Sequence, residues 1–84
     1  MAKSKKRKSN SKVFFAKNDL LEKIGKNVQH YREKHGETRD QFATNAGLGK
    51  YFLYRIEFGN ANPSIMNLKK IADYLKIDVK KLLV

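Results

Sequence analysis

The sequence predicts an all-α fold of five short helices around one core, and three observations carry the prediction. Apolar residues from position 19 onward recur at intervals of three and four, capping and breaking residues cut that pattern into helix-length pieces, and 19–84 contains no strand-type alternation. At 84 residues the chain is one domain at most. A chain of that size hides only about 60% of the surface it exposes when unfolded, so modest stability is expected.

In the first helix Leu21, Ile24, Val28 and Tyr31 fall on one face. Asp19 is the expected N-cap and Gly36 the terminator, giving a helix over about 20–35 that Gly25 weakens slightly. Thr38 caps a short second helix through Ala46, with Asp40 in its first turn and Phe42, Ala43 and Ala46 facing inward. Gly47 ends it, and a third helix follows over about 49–57. In the loop NANPS, Pro63 prevents continuation and Ser64 caps a fourth helix that turns Ile65, Leu68, Ile71, Ala72 and Leu75 inward. A last helical turn follows Asp78, with Val79, Leu82 and Leu83.

Charge points to the partner. Lys and Arg total 19 against 8 acids, a formal +11, which suits a polyanion such as nucleic acid or an acidic membrane surface. Residues 1–18 hold seven of the bases and no acid. Too polar to offset the entropy of ordering, they are expected to form a mostly disordered basic arm ahead of a domain over 19–84. The arm admits three readings: a strand that follows DNA phosphates, a solvated tail, or, through KKRK, a nuclear-import patch. Val13, Phe14 and Phe15 are candidates to fold back on the domain or to meet a partner chain. Cysteine is absent, which excludes a disulfide scaffold, a thiolate metal site and a cysteine nucleophile and fits an intracellular protein. No apolar run nears the roughly 18 residues of a membrane span, and the start lacks the apolar stretch of a secretory signal. A soluble, retained chain with no membrane partner is the expectation.

The stretch GLGKYFLYRIEFGNANPS concentrates aromatic and basic residues. On a helical wheel from Gly49 to Phe58, Leu53 and Ile56 lie inward with Phe52 at their edge. Lys50, Tyr51, Tyr54, Arg55 and Phe58 gather within about 140° on the opposite side. Glu57 sits at the inner rim, close to a helix C-terminus where an acid is unfavourable unless a cation compensates.

These residues carry a resemblance. Gly36 to Thr38, the pair Phe42 and Ala43, A-G-L at 46–48, R-I-E-x-G at 55–59, N-P-S at 62–64 and IADYLKIDVKKLL at 71–83, in that order, resemble the lambda-repressor-like helix-turn-helix domain of the Cro-type or XRE group. The likeness covers residues 24–83 and implies that the second and third helices form the helix-turn-helix. It implies an ion pair between Arg32 and Glu57, worth under about 1 kcal/mol if only partly buried; the alternative is an exposed Arg32 and a solvated Glu57. It implies a third helix lying in the major groove, with Lys50, Tyr51 and Arg55 toward base edges. Thr38 and Arg39 match positions that grip the DNA backbone, as do Asn60 and Asn62 in the loop after the third helix, although Thr38 also reads as a cap and the asparagines as turn formers. Tyr54 and Phe58 are bulkier than the family's usual choices and fit either sugar–phosphate packing or a protein contact. Gly49 replaces the usual Ser or Thr cap and Glu37 a commonly apolar residue, and both should lower local stability.

The resemblance thus implies a sequence-specific DNA-binding regulator, a repressor in particular, bacterial or phage-encoded and associated with DNA in the cytoplasm. A homodimer on a pseudopalindromic operator is expected because one short helix meets few base pairs; residues 79–84 and Phe14 with Phe15 are its candidate surfaces. An antitoxin or protein-bridging adaptor of the same fold, with the aromatic face on protein and mainly unspecific DNA affinity, is the alternative. No sensor domain is expected. Catalysis, metal and cofactor find no support: His30 and His35, five apart on the first helix, lack a cysteine or a convergent acid cluster, and no phosphate-binding glycine loop or nucleophile elbow is present.

Overall fold

Asn18 opens the first helix. Its Oδ1 accepts the Leu21 amide at 2.9 Å, so Asn18 is the N-cap and Asp19, expected in that role, stands one position further in. The backbone decides between them: Asn18 is extended at φ −142° and ψ 167°, the geometry that lets a side chain reach back to an amide two or three residues on. Asp19 then places its charge at the positive end of the helix dipole. The computed structural model describes residues 18–84. The expected arm before Asn18, with Val13, Phe14 and Phe15, lies outside the described residues.

The elements are α1 (Asp19–His35), α2 (Arg39–Ala46), α3 (Lys50–Glu57), α4 (Ile65–Leu75) and a single 3-10 turn, Val79–Leu82. Four α-helices and a 3-10 turn stand where five helices were expected. Two constraints make the last element tight. Asp78 Oδ1 accepts the Lys80 amide at 3.0 Å, and the amides of Lys81 and Leu83 bond three residues back to Asp78 and Lys80. Across the interface, Asn27 Nδ2 on α1 donates to the carbonyls of Leu82 and Val84 at 3.0 and 2.9 Å. Leu82 is thereby driven fully into the core, with Val79 and Leu83 partly buried against it. In the 79–84 segment, the candidate dimer surface, Leu82 is buried and Val79 and Leu83 are half-buried, while Lys80, Lys81 and Val84 are exposed.

Caps account for the remaining boundaries. Thr38 Oγ accepts the Gln41 amide while Gln41 Oε1 accepts the Thr38 amide, a reciprocal capping box that satisfies two otherwise unpaired donors. Ser64 Oγ accepts from Asn67 and starts α4 as expected. That helix closes at Lys76, whose backbone is left-handed at φ 61°, with its amide and that of Ile77 returning to Asp73 and Ala72. A lysine there carries a steric cost that glycine would not.

The core forms where the helices converge. Val28 from α1, Phe42 from α2, Leu53 and Ile56 from α3, Ile71 from α4 and Leu82 are almost wholly excluded from solvent. At the crossing of α1 and α3, Gly25 is buried, and a Cβ on it would collide with the Ile56 carbonyl oxygen and lie 2.7 Å from that of Glu57. The glycine that appeared only to weaken α1 is what lets the two backbones meet.

Two stability predictions follow from this geometry. Gly25→Ala should destabilise by about 1–3 kcal/mol despite the better helix propensity of alanine, because backbone carbonyls cannot turn aside as side chains do; thermal denaturation followed by circular dichroism reads the drop. Lys76→Gly should stabilise by up to about 1 kcal/mol, seen as a higher urea midpoint at unchanged slope.

Candidate nucleic-acid interface

Gly47 ends α2 in the left-handed conformation at φ 75°, and the Leu48 amide returns to the Ala43 carbonyl at 2.8 Å. Three residues later the chain is helical again, so α2 and α3 form two helices joined by a tight turn, with Leu48 packed against the core. The inward face of α3 is Leu53, Ile56 and Glu57. Its outward face holds Lys50, Tyr51, Tyr54, Arg55 and Phe58, the division expected from the wheel; Tyr51 is 69% and Phe58 52% exposed, Lys50 and Arg55 are exposed, and Tyr54 is partly covered.

Glu57 anchors this face from behind. Its carboxylate is wholly buried, and Arg32 grips it through two nitrogens, Nε to Oε2 at 2.7 Å and Nη2 to Oε1 at 3.2 Å. The remaining arm of Arg32, Nη1, donates to the Glu37 carbonyl at 2.8 Å. The pair implied by the resemblance is present and more deeply buried than expected. Arg39 also joins it, its Nε donating to Glu57 Oε1 at 2.6 Å, and its guanidinium lies 5.0 Å from the Phe58 ring centroid and 5.7 Å from that of Tyr54. Arg39, expected at the DNA backbone, is thus first of all a bridge between the buried acid and the aromatic face. Two cations offset a carboxylate at the negative end of α3.

A second network crosses the front. Asp40, in the first turn of α2, accepts the Tyr54 hydroxyl at 2.9 Å on Oδ1, and the Lys50 ammonium stands 3.5 Å from Oδ2. Attraction to Asp40 raises the Lys50 ammonium above its ordinary pKa. The hydrogen bond to Asp40, and then desolvation, raise the Tyr54 phenol likewise. Arg55 points along the Phe52 ring, 5.8 Å from its centroid, and with Asn60 and Asn62 lines a shallow cleft beside the helix. Both asparagines are exposed, and the Asn60 amide bonds back to the Arg55 carbonyl at 2.7 Å.

Glu37 needs a correction. Expected to weaken the entry to α2, its carboxylate instead accepts from Tyr74 Oη at 2.9 Å and from Asn45 Nδ2 at 2.6 Å, with His35 Nε2 3.7 Å away. Burial, and then the bond to Glu37, raise the Tyr74 phenol. Three elements meet at a polar clasp where an apolar contact would otherwise serve.

Neither the Asp40 network nor the Arg39–Glu57 contact was visible in the sequence, since their partners lie 10 to 18 positions apart across a turn. One signal was available: between Thr38 and Asn62 the acids are Asp40 and Glu57 alone, among the bases Arg39, Lys50 and Arg55. Among the described residues no group of three or more His, Asp and Glu could hold a metal ion, and no helix is long and apolar enough to cross a membrane.

Residues 25–84 match the helix-turn-helix domain family. The chain belongs to that family. Its helix-turn-helix domain is of the XRE type, as its relatives show. Residues aligned over 60 positions are 35% identical to the HTH-type transcriptional regulator SlrR of Bacillus subtilis, covering 70% of this chain and 40% of that protein. Over 61 positions they are 36% identical to the HTH-type transcriptional regulator SinR of the same species, covering 71% and 55%. The chain therefore spans about half the length of these curated relatives. Among solved structures, the restriction-modification controller protein C.AhdI of Aeromonas hydrophila superposes with a TM-score of 0.70 at 29% identity, over 74% of this chain and 94% of that one. A hypothetical transcription factor, NHTF from Neisseria, superposes with a TM-score of 0.75 at 24% identity, over 79% and 76%, a likeness of fold. In this domain α2 and α3 are the two helices of the motif.

The buried pair sets a measurable hierarchy. Glu57→Gln should cost about 3–5 kcal/mol, because it leaves the nearly buried Arg32 guanidinium without its counter-charge. Arg39→Ala, whose side chain is 29% exposed, should cost under about 1 kcal/mol through the lost ion pair, which solvent screens. Melting temperatures of the two variants side by side check the order.

Proposed function

We propose that this protein is a sequence-specific, double-stranded DNA-binding regulator, a repressor that acts in the cytoplasm as a homodimer on a pseudopalindromic operator. The observation that carries the reading is the division of α3: one face is locked into the core by Leu53, Ile56 and Glu57, and the other presents Lys50, Tyr51 and Arg55 to solvent. A rigid helix with an exposed row of donors is what major-groove reading requires.

In this reading Arg55 spans the O6 and N7 acceptors of a guanine, Lys50 donates to the same edge with less directionality, and Tyr51 offers its hydroxyl and a ring for a thymine methyl. Thr38, Arg39, Tyr54, Asn60 and Asn62 flank that row and set the register on phosphates and sugars. Thr38 and Arg39 do so from the N-terminus of α2, where helix amides favour an anion. The dimer places two α3 helices in successive major grooves, about 34–36 Å apart. The names of SlrR and SinR as transcriptional regulators, and of C.AhdI as a controller protein, support regulation as the outcome.

In vitro selection from random duplex near physiological salt tests the reading. The expected result is an enriched inverted repeat, with Arg55→Ala and Lys50→Ala each losing about 1–3 kcal/mol of binding and relaxing preference at particular base pairs. Binding that falls steeply with salt and enriches no sequence would overturn it in favour of an adaptor or antitoxin, for which the rings of Tyr54 and Phe58, half-buried and exposed on the outward face, would be the protein contact.

A further inference from the structure

We propose that Asp40 is a positioning residue that determines specificity: it holds the Lys50 ammonium and the Tyr54 hydroxyl in one arrangement, offers its free lone pairs to a base-edge amino group, and weakens binding to duplex of arbitrary sequence. The inference rests on the duplex-binding reading above.

Between Thr38 and Asn62 the sequence has two acids. Glu57 is buried behind α3, which leaves Asp40 as the one carboxylate on the exposed face of the motif. A place in the first turn of α2 explains an acid there as a partner of the helix dipole, but not its two bonds to the neighbouring helix. Each oxygen has its own partner, Oδ1 taking Tyr54 and Oδ2 facing Lys50. Lys50 needs such a partner: it is the first residue of α3, where a cation opposes the dipole, Gly49 supplies no side-chain cap, and the first turn contains no acid. Asp40 supplies that charge from across the turn.

The hold extends further. Lys50 Nζ lies 5.6 Å from the Tyr51 ring centroid, and the Tyr51 and Tyr54 rings meet edge to face at 6.1 Å. Three of the residues assigned to duplex are thus arranged around one carboxylate, and the raised ammonium of Lys50 and phenol of Tyr54 are consequences of the same contacts. A phosphate approaching this face meets a lysine already paired and a negative charge beside it. A cytosine N4 or adenine N6 amino group meets a carboxylate with lone pairs still open, since an ionised carboxylate accepts at about four sites. The same acid therefore repels backbone and welcomes particular base edges.

Asp40→Asn tests this on the duplex enriched by the wild-type protein and on a random-sequence duplex, across a salt series. The variant is expected to bind the random duplex at least about threefold more tightly, with a salt slope steeper by about one unit, and to lose at least about tenfold in the ratio of enriched to random affinity. Its Tyr54 ring protons should titrate at lower pH by NMR, and its loss of ratio should not multiply with that of Tyr54→Phe. Equal gains on both duplexes, an unmoved Tyr54 titration or independent effects of the two substitutions would overturn the proposal and leave Asp40 an ordinary surface charge. Absence of any enriched sequence for the wild-type protein would instead overturn the duplex reading itself.

Discussion

The buried carboxylate of Glu57 is the constraint on which the motif depends. An acid at the C-terminal end of α3 meets a negative dipole, and burying its charge is costly unless cations offset it. Arg32 from α1 and Arg39 from α2 do so, at 2.7 and 2.6 Å. Because hydrogen bonds of that kind are directional, they fix three helices relative to one another where apolar packing alone would tolerate sliding. The outward face of α3 takes its aim from this knot. Arg39 ties the back of the helix to its front, for the guanidinium that reaches Glu57 also covers Phe58 and Tyr54.

Polar clasps recur at the other joints. Glu37 gathers Tyr74, Asn45 and the approach of His35, Asn27 holds the carbonyls of Leu82 and Val84, and Asp40 links the two helices of the motif. A chain this small buries little apolar surface. Its apolar core brings the helices together; the clasps select one arrangement among several of similar burial.

Much of this was legible beforehand because it is local. Thr38 and Ser64 cap where expected, Gly36 and Gly47 terminate, and the three-and-four spacing of Leu53 and Ile56 places the core side of α3. What escaped is not local. Asn18 displaced Asp19 as a cap because neighbouring side chains compete for the same amide and backbone angles choose between them. Glu37 looked misplaced because its partner Tyr74 is 37 residues away. Arg39 was assigned to the DNA backbone and Asp40 only to the first turn of its own helix, because a tight turn, invisible to periodicity, folds the start of α2 onto the face of α3. The resemblance supplied the Arg32–Glu57 pair, which spacing alone would not have found. The assignments of Lys50, Tyr51 and Arg55 to bases belong to the proposed function.

Gly25 has a bearing on how such a motif varies. Where two helices touch through their backbones, the outward-facing side chains of the outer helix take no part in setting the distance between them. The approach of α3 to α1 is therefore insulated from what its outward positions carry. Residues 51 and 55, which form no bond to the Asp40 clasp, can be exchanged without loosening the contact behind them, as the head of a tool is changed on a fixed handle, and a new sequence preference can arise without a new fold.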